Sequence, residues 1–277
     1  MRSDKLVLIL GAKGMLGSEL SLVFADSKPI CWDIDDLDIT NEKIVQKRIR
    51  EMSPSIIINA SAYTNVDGAE ENEETANRIN GTAVGHLAKT AELIGAKLIH
   101  YSTDYIFSGK NKSGYKENSR SNPVNAYGRS KLIGEQAIKK YCERYYIIRT
   151  SWLYGRGGKN FVDTMLDIGA KNKEIKVVED QFGKPTYTLD LAKRTRKLIE
   201  GDSRYGIYHI TNEGTTNWFS FAEKIFELAQ LSVSVIPVKS DQFPRPAKRP
   251  NYSSLINTKI PLSRKWQIAL KDYISGK

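Results

Sequence analysis

The chain has almost no cysteine. Cys31 and Cys142 are the only two in 277 residues, and they show no metal or redox spacing, so a disulfide framework and a zinc ribbon are both excluded. Histidine is equally scarce. His86, His100 and His209 are scattered along the chain, which leaves no histidine metal site, and no metal is expected. No apolar stretch approaches the roughly 20 residues of a membrane-crossing helix, so no membrane contact is expected. Residues 1–5 lead into a short apolar run with no cleavage-site pattern, unlike a secretory leader, and the expected location is cytoplasmic. Internal repeats and low-complexity tracts are missing as well.

Acidic residues are outnumbered, 32 against 42 basic ones, for a net charge of +10. The basic residues are spread out, and there is neither zinc-finger spacing nor an aromatic RNA-binding strand, so nucleic acid is not an expected partner. A basic solvated surface accounts for most of the excess, and an anionic small molecule for part of it. Hydrophobic residues make up 40% and charged ones 27%, enough for one large core with a smaller lobe attached.

Short β-branched runs at 6–10, 29–34, 55–60, 97–102 and 145–150 alternate with helical patterns at 15–24, 42–52, 67–79, 82–94 and 127–141. Continuous apolar strands separated by helices predict a parallel sheet covered on both faces. The expected fold is α/β, a Rossmann-type doubly wound parallel sheet over residues 1–155. A smaller α/β substrate-binding lobe follows over 156–277, with some strands free to return to the main sheet. In the second half, helices are predicted at 161–171, 189–200 and 219–231 and strands at 176–179, 207–211 and 233–238. The segment 241–250 carries Pro244, Pro246 and Pro250 among Arg245, Lys248 and Arg249, and reads as an ordered loop or a flap.

Directly after the first run stand Gly11, Lys13, Gly14, Met15, Leu16 and Gly17. Three glycines at this spacing, between a strand and a helix, permit a tight turn and close backbone approach to a pyrophosphate at a helix N-terminus. Asp33, about 20 residues on, stands where an acid accepts ribose hydroxyls, which favours NADH. Lys13 lies in the phosphate loop and can pair with a 2′-phosphate, which favours NADPH. The choice stays open. Asp38 either assists near the adenine or caps the turn in Asp38-Ile39-Thr40-Asn41.

Tyr127 and Lys131 are one helical turn apart, on one face. A free phenol has a pKa of about 10, and a neighbouring ammonium is expected to lower it so that the phenol exchanges protons at working pH. Lys131 can also hold the nicotinamide ribose. An exposed Tyr–Lys pair is common on helices. Thr103 adds weight, because it ends a strand with its hydroxyl able to bond the substrate oxygen that Tyr127 protonates.

Taken with Asn59 to Asp67, Ser102 to Phe107, Arg149 to Tyr154, Asn160-Phe161, Asp180 to Thr186, Lys248 to Pro250 and Ser253, these motifs resemble the extended short-chain dehydrogenase/reductase family. Within it they resemble the branch of dTDP-4-dehydrorhamnose reductases, nearly end to end. The resemblance implies NAD(P)H-dependent reduction of the C4 carbonyl of a dTDP-linked deoxyhexulose, with Thr103, Tyr127 and Lys131 as the catalytic set. It implies Ala60, Ala62 and Tyr63 along the cofactor, and Asp104, Trp152, Asn160 and Arg249 at the sugar nucleotide. From the residues alone, Trp152 suits either stacking on a ring or core packing, and Arg249 either a diphosphate or the surface. Tyr105 stands where related dehydratases carry a second acid, which argues against water loss.

Some members of that family bind magnesium at a dimer contact. Glu19 matches one position there, but Asp190 stands near another and no third ligand follows, so neither the metal nor the dimer is carried over. Monomer and homodimer both stay open. The alternative functions are an epimerase that retains NAD and a non-catalytic regulatory subunit resembling the β-subunit of methionine adenosyltransferase.

Overall fold

The computed structural model describes residues 6–201 and 203–277; the reading of residues 1–5 lies outside them. The first half alternates strand and helix: β1 (Val7–Leu10), α1 (Met15–Val23), β2 (Ile30–Trp32), α2 (Glu42–Met52) and β3 (Ile56–Asn59). It continues with α3 (Val66–Glu71), α4 (Glu73–Asn77), α5 (Ala83–Ile94), β4 (Lys97–Thr103), α6 (Ala126–Tyr141) and β5 (Tyr145–Thr150).

The second half holds β6 (Leu153–Tyr154), α7 (Phe161–Gly169), β7 (Glu174–Val178), β8 (Phe182–Gly183), β9 (Thr186–Tyr187) and α8 (Thr188–Glu200). After these come β10 (Gly206–His209), β11 (Thr216–Asn217), α9 (Trp218–Ala229), β12 (Ser234–Val238) and α10 (Trp266–Ser275). Six strands form one sheet in the order β10-β5-β4-β3-β1-β2, and every pairing in it is parallel. The chain leaves β1 to one side for β2 and returns on the other for β3, which opens a crevice between their carboxyl ends.

Alternation along the strands sorts the core into two layers. Val7, Ile9, Ile58, Ile99 and Ile148 pack under α1 and α8, with Leu20 and Leu191. Leu8, Leu10, Ile57, Leu98 and Ile147 pack under α2, α5 and α6, with Ile49, Leu87 and Ile138. A third cluster, built on Tyr154, Phe221, Ile225, Trp266 and Tyr273, is the core of the lobe.

Two longer elements depart from the sequence expectation. The helix predicted at 67–79 is broken at Asn72, whose backbone leaves the helical region (φ −141°, ψ 70°) and whose side chain accepts from the Thr75 amide. A widened π-type turn then spans Arg78–Thr82. α10 was not anticipated, although Trp266, Ala269, Leu270 and Tyr273 bury one face at helical spacing. The strand predicted at 207–211 joins the main sheet beside β5, reached from the lobe.

Candidate active site at the carboxyl edge of the sheet

The turn after β1 is shaped by close backbone approach. Gly11 has φ +75°, and a Cβ there would stand 2.7 Å from the Ser61 amide nitrogen; one on Gly17 would stand 2.0 Å from the Gly11 carbonyl oxygen. Gly14 caps α1 without a side-chain bond, so the first amides of that helix point outward, a ready anion site. Leu16 puts its side chain into the core, which leaves only its backbone to meet a ligand.

A cavity of about 520 Å³ opens here, at the β1/β3 crevice, lined among others by Gly14, Asp33, Asp38, Ala60, Ala62 and Arg78. The Asp33 carboxylate accepts from the Lys13 and Ile34 amides. The Lys13 ammonium pairs instead with Asp35 at 2.7 Å, both side chains mostly exposed. Asp38 accepts from the Thr40 amide and hydroxyl, so it shapes the turn while also lining the cavity. Arg78, brought to the wall by the widened turn, was not singled out from sequence.

That turn also sets Asn80. Its amide bonds both backbone groups of Tyr63 and the Ser130 hydroxyl, tying the loop after β3 to α6. Tyr63 and Tyr127 flank one small apolar cluster of Ala69, Ala76 and Ala126. Asn125 caps α6 by accepting from the Gly128 amide at 2.7 Å.

Below α6 the apolar layer gives way to polar groups. Asn59, His100 and Arg149 take the positions that Ile57, Leu98 and Ile147 hold one pleat earlier, and Lys131 and Glu135 come down on them from one face of the helix. Arg149 is 2% exposed and Glu135 fully buried, and they are joined by two bonds at 2.7–2.8 Å. Burial would raise the Glu135 carboxyl, but the bonds and charge of Arg149 hold it below its ordinary value.

Thr103, Asp104, Tyr105 and Tyr127 meet at the end of β4. The Thr103 hydroxyl donates to Asp104 Oδ1 at 3.1 Å, and Asp104 Oδ2 is buried without a partner. Burial pushes the Asp104 carboxyl up to about 7, with the nearby Ser253 and Thr103 hydroxyls acting the other way. The Tyr127 phenol does not titrate as expected from its lysine neighbour. Burial and then the Asp104 charge push it up to about 12, opposed only by a bond with Thr103, so without a ligand it stays protonated. The Lys131 ammonium is pushed down by burial to about 8, with Glu135 acting the other way.

The lobe closes this edge. Trp152 holds a left-handed backbone (φ +48°) and stacks on Trp218 at 3.6 Å; at Gly183 a Cβ would stand 2.5 Å from its ring. It is half-buried and packs against the core of the lobe. Arg249 forms a two-pronged pair with Asp67, and Asp67 also accepts from the Ala247 amide. Asn125 Nδ2 donates to the Lys248 carbonyl at 2.8 Å. The segment 241–250 is therefore strapped over the starts of α3 and α6.

The Asn160 side chain, placed at the sugar nucleotide from sequence, caps α7 by accepting from the Asp163 amide and donates to the Gly155 and Gly158 carbonyls and Asp163.

Among the described residues no helix is long and apolar enough to cross a membrane, and no group of three or more His, Cys, Asp or Glu side chains is arranged to hold a metal.

The family model described as "RmlD substrate binding domain" matches residues 5–276. A Bacillus subtilis spore coat polysaccharide biosynthesis protein, SpsK, is 38% identical over 97% of this chain and 96% of its own. A dTDP-4-dehydrorhamnose reductase from Clostridium acetobutylicum has a solved structure that superposes with a TM-score of 0.94 at 42% identity, covering 97% and 98% of the two chains. The Bacillus anthracis dTDP-4-dehydrorhamnose reductase, solved in complex with NADP, gives 0.96 at 40% identity over 99% of each.

Proposed function

From the premise that this chain belongs to the RmlD substrate-binding-domain family, we propose how its residues carry out the reduction that such reductases perform. The chain is a dTDP-4-dehydrorhamnose reductase, an NADP-using oxidoreductase of the extended short-chain dehydrogenase/reductase fold. It reduces the C4 carbonyl of dTDP-4-dehydro-L-rhamnose.

The cofactor fits the cavity on this chain's own geometry. The cradle at Gly11 has no room for a Cβ, the α1 amides are open, and the Lys131 amino group is buried without an ion pair among the described residues. Gly11 to Gly17 would hold the pyrophosphate, Ala60, Ala62 and Tyr63 the wall beyond β3, and Lys131 the nicotinamide ribose. Asp33 and Lys13 stand at the adenosine end. NADPH, when bound, supplies the hydride.

Tyr127 supplies the proton. A phenol kept protonated by burial and by Asp104 is in the state a reduction needs, and that observation carries this assignment. Thr103 steadies the carbonyl oxygen, and Asp104 Oδ2, unpartnered and buried, is free to accept a sugar hydroxyl. Trp152, backed by Trp218, forms an aromatic wall for the sugar or base. Arg249 borders the diphosphate, which would have to share its guanidinium with Asp67.

We assign cofactor binding to residues 1–155 and the sugar nucleotide mainly to 156–277. A cytoplasmic protein, monomer or homodimer, fits this chemistry. The test is oxidation of NADPH by purified protein with and without dTDP-4-dehydrorhamnose. Oxidation should require the sugar nucleotide; tightly held nucleotide with no consumption would favour an epimerase or a regulatory subunit.

A further inference from the structure

His100 lies against the buried end of Lys131. It sits on β4 beside Asn59 of β3 in direct register, 1% exposed. Three hydrogen bonds decide where its proton is. The Ser61 amide donates to Asn59 Oδ1 at 3.1 Å, which fixes the orientation of the Asn59 side chain. Asn59 Nδ2 therefore faces His100 Nδ1, at 3.1 Å, as a donor. Nδ1 must accept, and a neutral imidazole then carries its hydrogen on Nε2. Nε2 lies 3.4 Å from Lys131 Nζ.

An ammonium there would put two donors face to face in a site without water's dielectric. An amine would accept the Nε2 hydrogen and resolve the conflict. Charging the imidazole offers no way out, since it would leave Nε2 a donor, and burial holds the ring well below its ordinary value.

The other groups around Lys131 do not reverse this. Glu135, one turn on in α6, faces it, but both its oxygens are taken by Arg149 of β5. The Tyr127 phenol, one turn before, is uncharged. Asn59, behind His100 from β3, carries no charge.

We propose that, in mildly alkaline solution, His100, locked by Asn59 in the Nε2–H tautomer, holds Lys131 as a neutral amine in the cofactor-free protein, so that cofactor binding takes up a proton. The inference rests on the reading that Lys131 meets the nicotinamide ribose. A ribose hydroxyl offers the acceptor that His100 denies, and the ammonium forms only when that acceptor arrives. His100 is thus a positioning residue, acting through Lys131.

Nitrogen NMR of ¹⁵N-histidine-labelled, cofactor-free protein should show an acceptor Nδ1 and a protonated Nε2 for the signal that disappears in His100→Gln. A proton on Nδ1, or an imidazolium, overturns the proposal whether or not cofactor binds. Calorimetry of NADPH binding at about pH 8.5, in two buffers of different ionisation enthalpy, should give uptake of about half a proton or more per cofactor. In Asn59→Asp the carboxylate keeps the Ser61 bond but accepts from Nδ1–H, turning Nε2 into an acceptor for the ammonium, and uptake should fall at least two-fold. Where that variant fails to fold, His100→Gln, whose carbonyl can turn to Lys131, should show the same fall. Wild-type binding without uptake, or variants that match wild type, overturns the proposal. Failure of NADPH to bind at all would instead sink the functional reading, leaving the tautomer to be decided by NMR.

Discussion

Tyr127 and Asp104 act together, because burial acts on both and the Asp104 charge helps keep the Tyr127 phenol protonated. Replacing Tyr127 by Phe removes only the proton donor. It should lower kcat by about 10²–10⁴-fold with little change in NADPH affinity, as steady-state rates and cofactor titration would show. Asp104 also marks the stability curve. Its folded carboxyl is pushed up to about 7 from an ordinary 3.8. Between those values the native state holds a proton that the unfolded chain has released, so stability falls as pH rises through the window. Asp104→Asn should flatten denaturant-measured stability between pH 4 and 7 by on the order of a few kcal/mol. An unchanged slope in the variant would mean that another buried group is responsible.

Among the elements, α6 does the most, carrying Tyr127, Lys131 and Glu135 on one stripe. Its cap is bonded twice, Asn125 holding the Gly128 amide and also the Lys248 carbonyl of the proline-rich strap. Asn125→Ala should therefore cost about 1–2 kcal/mol of stability and, unlike an ordinary cap loss, raise the KM for the sugar nucleotide several-fold while that for NADPH moves little. Thermal melts and paired kinetics separate the two effects.

The strands and helices that could be read from sequence are those whose signal is local. The glycine cradle, the alternation of the first half and the one-turn spacing of Tyr127 and Lys131 all lie within a few residues. The break at Asn72 could not be read, because Asn is tolerated in helices and here its capping bond wins. The meaning of Asn80 needed the widened turn, and that of His100 needed the register of two strands 41 positions apart. The Asn160 motif was visible as well, but its part in capping α7 shows only in the contacts of its side chain.

For the whole molecule, the Arg149–Glu135 pair joins the sheet to α6 from inside, with the Glu117 carbonyl also bonded to Arg149. Removing one partner strands a buried charge. Arg149→Met should destabilise by about 3–5 kcal/mol, read as a fall in Tm on the order of 10 °C. The double variant Arg149→Met with Glu135→Leu should recover much of that, because no charge is left uncompensated. A double variant as unstable as the single would show that packing, not charge, sets the loss.

The return of β10 to the main sheet has a consequence for how the chain is made. β5 leaves the ribosome roughly 55 residues ahead of β10, an interval of about 3–12 seconds at ordinary synthesis rates. Through that interval one long edge of a hydrophobic parallel sheet has no neighbour. The layer under α8 is open too, since α8 is made late as well. An unpaired parallel edge invites pairing with other chains. The cofactor-binding half cannot finish before most of the lobe has emerged, so the lobe is as much a part of its folding as of its catalysis. A gene cut near residue 155 would make not a smaller nucleotide-binding protein but a chain arrested with its sheet unfinished.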